Sequence, residues 1–151
     1  MTRAEAFNRL RRVRDEFDAG RFALEHILGQ WNSDPSVAIA AQSTGVTAAE
    51  LRRCARSLEL TFVLRLFAEF ETILRDFWRN GIGRTTDPEM RQLIESVGRR
   101  RNVPPTDLRG AHEIREYRNA IVHDGLRKLR LDLPLCLKAV GRFLRWAPLE
   151  W

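Results

Sequence analysis

The chain has 151 residues, of which 44% are hydrophobic and 30% charged, with six prolines and nine glycines. That is one domain's worth of folded protein, which excludes a large multidomain enzyme, a fibre and a low-complexity linker. Its 26 cations exceed its 20 carboxylates for a net charge of +6, and all but Lys128 and Lys138 are arginines, so anionic partners are favoured over cationic ones.

The N-terminus, Met1 to Ala6, runs into the charged stretch Arg9 to Asp18 without an apolar core, and no stretch reaches the roughly 20 apolar residues that span a bilayer. A soluble cytoplasmic protein with no membrane partner is expected. Cys54 and Cys136 are isolated, with no Cys/His cluster around them, so neither a disulfide scaffold nor a zinc site is expected, and no cofactor motif is present.

Helical periodicity dominates and no alternating strand set stands out, so the fold class is all-α. Thr2-x-x-Glu5 is a capping box opening a first helix over 2–29, with Phe7, Leu10, Val13 and Phe17 on its apolar side. A second box, Thr47-x-x-Glu50, opens a helix with no breaker before Asn80-Gly81, about 50 Å of spine. Asp87-Pro88-Glu89 starts a short helix ending near Gly98, and the basic loop Arg99-Arg100-Arg101 follows. Pro104-Pro105-Thr106-Asp107 starts a helix that runs through Val122 to a stop at Asp124-Gly125. Asp132 caps a last helix, with Pro134 in its first turn, that reaches about Trp146. Five principal helices with short connections make a compact bundle, a single helical domain over 1–151.

The spine has two apolar faces. Leu58, Phe62, Leu66, Phe70, Ile73 and Phe77 fall on one side, and Leu60, Leu64, Phe67, Leu74 and Trp78 on the other. The second face calls for further helices of the same chain or for a partner subunit, and a symmetric homodimer is the commonest solution. Glu71 lies within that second face, where a carboxylate is costly unless paired, so an internal ion pair and a site role are both open.

The stretch Arg115-Glu-Tyr-Arg118-Asn119-Ala-Ile-Val-His123-Asp-Gly125 is the most informative. It sets Arg118 among Ala111, Ile114, Ile121 and Val122, and puts His123 at the last turn before a glycine stop, with Asn119 one turn below it. Five residues of separation rotate His123 by about 140° from Arg118, but at a frayed helix end both can lean over one cleft, which would bring together a fixed cation, a titratable imidazole and an orienting amide. Arg118-Asn119-x-x-x-His123 followed by Asp-Gly, after a long helix containing Phe70-Glu71, resembles the R-x4-H signature of the HEPN superfamily, in its R-N-x-x-x-H form. The resemblance covers about 47–147 and implies a HEPN-like helical core that pairs as a homodimer, with Arg118 and His123 of both protomers converging and with Glu71 and Asn119 in support. Many members are metal-independent ribonucleases of toxin, abortive-infection and phage-defence systems. Where one subgroup, modified by a nucleotidyltransferase antitoxin, has a tyrosine two residues past the histidine, this chain has Gly125, which argues against that kind of partner.

The expected activity is RNA cleavage without metal or cofactor. His123 takes the proton of a ribose 2′-OH, which attacks the adjacent phosphate while Arg118 grips the phosphate oxygens. RNA backbone contacts are expected from Arg115, Arg99, Arg100, Arg101, Arg127, Lys128 and Arg130, and the partners are RNA, a second copy, and a cognate antitoxin or regulatory protein. Two rival classes stand beside this. Residues 36–55 have the small-residue and glycine spacing of a helix-turn-helix regulator, although the would-be reading helix starts Ala48-Ala49-Glu50 and runs on into Phe62. A non-catalytic HEPN-like module that dimerises or binds nucleotide would be under no pressure to hold both Arg118 and His123. His112-x-x-x-Glu116 has metal spacing on a helix but lacks a third ligand, so a surface pair is expected there.

Overall fold

The structure, a computed structural model, describes residues 1–123 and 131–151. Over the described residues it is all-helical and contains six α-helices: α1 (Arg3–Gln30), α2 (Pro35–Ser43), α3 (Ala48–Asp76), α4 (Met90–Arg100), α5 (Pro105–His123) and α6 (Leu133–Leu144). No described helix is long and apolar enough to cross a membrane.

Local chemistry sets most of the boundaries. Thr2 and Thr47 each accept a hydrogen bond from the backbone N–H of the glutamate three residues on, and that glutamate reaches back to the capping residue's own N–H, so both capping boxes close. The bond to Thr47 holds the exposed Glu50 carboxyl below the usual carboxylate range. Asp132 caps α6 through the backbone N–H of Leu135, with Pro134 in the first turn.

Three boundaries differ from the sequence expectation. The helices number six rather than five, because Asp34 caps α2 through the backbone N–H of Ser36 at 2.9 Å ahead of Pro35. The spine is α-helical only to Asp76 and continues as a π-helical turn over Phe77–Gly81, where a Cβ on Gly81 would lie 2.4 Å from the Phe77 ring and 2.7 Å from Trp151. Finally, α4 starts at Met90 and runs to Arg100. Asp87, read as its opening, is instead bound by Arg75, and Gly98 is not a stop but a point of close approach to Leu108 of α5.

At about 45 Å, α3 is the central helix. Phe70 is fully buried in it, its ring edge-on to Phe143 of α6 at 5.5 Å and to Phe67 at 6.4 Å. The same chain covers much of the second apolar face, since Phe67 and Leu74 are buried while Leu60, Leu64 and Trp78 are half-buried. α1 runs antiparallel to α3, with Phe17 against Phe62, Arg65 paired to Glu16 and Arg9 paired to Glu69 at 3.2 Å. The two ends of the chain meet beside Asp76. The Met1 amine donates to the Trp151 carbonyl at 2.6 Å, and the Trp151 indole donates to Asp76 Oδ2 at 2.9 Å.

Candidate active site

α5 positions the candidate residues. Its start lies by the end of α6, where Trp146 donates from its indole to Asp107 at 3.0 Å. From there it passes alongside α3, so that Ala111, Ile114 and Tyr117 are buried and Arg118 comes to rest over the Phe67 ring, 5.6 Å from its centre. The half-buried guanidinium donates from Nη1 to Asn119 Oδ1 at 3.0 Å. Among the described residues no carboxylate lies within ion-pair distance of it.

That sets Arg118 apart from the other half-buried arginines. Arg65 is paired to Glu16, Arg75 to Glu71 and Arg115 to Glu116, while Arg3 and Arg101 donate to backbone carbonyls at the C-terminal end of the chain. Among the described residues Arg118 has only a neutral amide and an aromatic face, so its charge is available to an anion that enters from solvent. His123 is the last described residue of α5 and is exposed beside Val122, itself 49% exposed. An exposed imidazole five residues beyond a seated guanidinium can exchange protons with a bound molecule.

Glu71 stands elsewhere in the network. Its Oε1 accepts from Arg75 Nε at 2.9 Å and Nη2 at 2.6 Å, and Arg75 also holds Asp87 and the Pro88 carbonyl. Of the two readings open in the sequence, the internal ion pair is what forms, and its arginine comes from the same helix rather than from α5.

The expected RNA contacts divide. Arg99 and Arg100 are exposed at the last turn of α4, whereas Arg101 donates from Nε to the Trp146 carbonyl at 2.8 Å and packs between helices. Arg115 is only 20% exposed, pairs with Glu116 at 3.4 Å, and has a buried Nε without a hydrogen-bond partner among the described residues. Gly125, Arg127, Lys128 and Arg130 lie outside the described residues. The α2–α3 connection turns at Gly45, with φ +79, as the helix-turn-helix spacing suggested, but its second helix is the 29-residue α3 with Glu50 in its first turn.

Two residues of this region have surroundings that the sequence does not show. Phe67 was read only as an apolar position, yet it is the seat of Arg118. His112, read as half of a surface pair, is half-buried among Arg91 and Glu95 of α4 and Arg115 and Glu116 of α5, and burial, followed by the Arg115 charge, lowers its pKa. Among the described residues no three His, Cys, Asp or Glu side chains come together as a metal site. Comparison of the chain with protein-family models, curated proteins and solved structures finds no match.

Proposed function

We propose that the protein is a metal-independent endoribonuclease of the HEPN type, acting in the cytoplasm as a toxin or phage-defence effector. The observation that carries this reading is Arg118: a half-buried guanidinium, seated on Phe67, free of any carboxylate among the described residues and followed along α5 by the exposed His123. A structural arginine would be paired to a carboxylate as Arg75 is, or tied to backbone carbonyls as Arg3 and Arg101 are, whereas one that must accept a phosphate has to be left open.

The chemistry follows from RNA's own nucleophile. His123 removes the proton of the ribose 2′-OH, whose oxygen attacks the adjacent phosphorus. The bond to the 5′-oxygen breaks, and that oxygen takes up a proton from water or a second imidazole. Arg118 binds the phosphate oxygens through its planar fork and stabilises the charge that builds on them. Asn119, bonded to Arg118 Nη1, orients the fork. The products are a 2′,3′-cyclic phosphate and a 5′-hydroxyl. Two protomers bring their Arg118 and His123 pairs together, and a cognate antitoxin or regulatory protein restrains them. Glu71 has no step in this scheme, because Arg75 occupies it.

The test is incubation of wild type and His123→Ala with total RNA in EDTA, with the new 3′ ends analysed. Cyclic phosphate ends from wild type, and at least about a hundredfold fewer from the variant, are expected. Cleavage at the wild-type rate in purified His123→Ala, or cuts in DNA, which lacks the 2′-OH, overturns the assignment.

A further inference from the structure

Beyond the packed body the chain forms an arm of different construction. From Asp18 to Phe62, across the end of α1, all of α2 and the start of α3, no residue is buried, although Phe17 and Val63 on either side are. The buried contacts of α4, α5 and α6 lie below this point, and α6 reaches its limit where the Leu133 N–H donates to Glu59 at 3.1 Å. What projects is an antiparallel pair, with α2 at its tip and about 15 Å of α3 beyond the body. Phe22 is 70% and Ile39 65% exposed on it. Leu58, Leu60 and Phe62 at its base pack partly against the core; further out, helices without buried residues gain little from packing, and exposed apolar side chains on such a pair mark a contact surface.

Charge identifies the occupant. Residues 18–62 hold four of the 26 cations and five of the 20 carboxylates, a net −1, so the remaining residues carry +7. A polyanion such as RNA is not drawn to this arm. The two long helices of the arm have opposite characters. On α1, Asp18, Phe22 and Glu25 follow at spacings of four and three and form one exposed stripe, in which Asp18 is paired to Arg21 of its own helix at 3.5 Å and the Phe22 ring stacks on His26 at 5.9 Å. On α3, Arg52 and Arg56 form another, and neither they nor Glu25 has a hydrogen-bonded or ion-paired partner among the described residues. Each copy therefore carries a surface and its complement.

We propose that the arm docks on the arm of a second copy of this chain about a two-fold axis. The Asp18–Phe22–Glu25 stripe of one copy lies on the Arg52–Arg56 stripe of the other, with the Phe22 ring beneath the arginine stems. The arm is the contact that holds the two protomers of the ribonuclease reading together, but this docking does not rest on that reading and stands if His123 proves inert.

A charge swap tests it by light scattering on full-length protein. Wild type is expected at twice the monomer mass. Arg52→Glu/Arg56→Glu and Asp18→Arg/Glu25→Arg are each expected at the monomer mass with unchanged helical circular dichroism, since the four positions are exposed. An equimolar mixture of the two variants is expected to return to the dimer mass as a heterodimer. A monomeric wild type, a dimer indifferent to either reversal, or a mixture that stays monomeric overturns the proposal.

Discussion

Two half-buried arginines flank the second face of the spine, and they are used in opposite ways. Arg75, on α3, is saturated: Glu71 takes two of its N–H groups, while Asp87 and the Pro88 carbonyl take others. Arg118, on α5, rests on a ring and one amide oxygen. The difference is one of task. Residues 82–89 have no helix of their own, so their polar groups need a partner, and Arg75 ties them to the spine beside Trp78, whose indole donates to the Thr86 carbonyl at 3.0 Å. Among the described residues nothing comparable occupies Arg118. Withdrawing a cation from water without a counter-charge costs free energy that a structural role does not return. The cost makes sense if the counter-charge arrives with a substrate.

Substitution at these two places should therefore separate activity from stability. The largest effect is expected at the open end of the comparison, where His123→Ala lowers RNA cleavage by about 10²–10⁴ and Arg118→Ala by about 10²–10³. Melting temperature changes little in His123→Ala, whose side chain is exposed. Arg118→Lys keeps the charge but loses the fork and the guanidinium's contact with the Phe67 ring, so it should recover only part of the loss. At the saturated end, Arg75→Ala leaves Glu71 and Asp87 without their cation. It should cost about 1–2 kcal/mol, discounted for the partial exposure of the group, which is a few degrees of melting temperature. Cleavage by the folded fraction should stay near wild type. If Arg75→Ala abolished cleavage at an unchanged melting temperature, the contrast between the two arginines would collapse.

Much of this architecture can be read from neighbouring residues. The caps at Thr2, Thr47 and Asp132 form as the sequence expects, because a capping bond spans three residues and needs no tertiary information. The boundaries that moved did so through long-range contacts. Asp87 is a good cap by composition, but Arg75 claims it from twelve residues away. Gly98 reads as a stop, yet the chain needs it for the approach of Leu108, and Asn102, with φ 51, takes the left-handed position after α4. The π-helical turn depends on Trp151 and Phe77 closing on Gly81, which no local pattern encodes. The site divides along the same line. Arg118, Asn119 and His123 share one helix and are visible from spacing alone. The seat beneath Arg118 and the commitment of Glu71 are not, because several arginines and aromatics compete for each role and only packing chooses among them.

His112 offers the finest discrimination, on the α4–α5 side of the same helix. Burial first, and then the Arg115 charge, lower its pKa from the ordinary 6.5, against the weaker opposing pull of Glu95 and Glu116. The unfolded chain therefore takes up this proton at a higher pH than the folded one. In the window below 6.5 it binds more protons, so acidification favours unfolding and stability rises with pH across that window. Melting temperature measured at pH 7.5 and at pH 5.5 should fall further for wild type than for His112→Gln, which cannot take a proton, and by less than the loss in Arg75→Ala. RNA cleavage by His112→Gln at pH 7.5 should match wild type, because this histidine faces Arg91 and Glu95 rather than Arg118. An equal pH dependence in the two proteins would mean that the α4–α5 seam leaves His112 as free to protonate as it is in the unfolded chain.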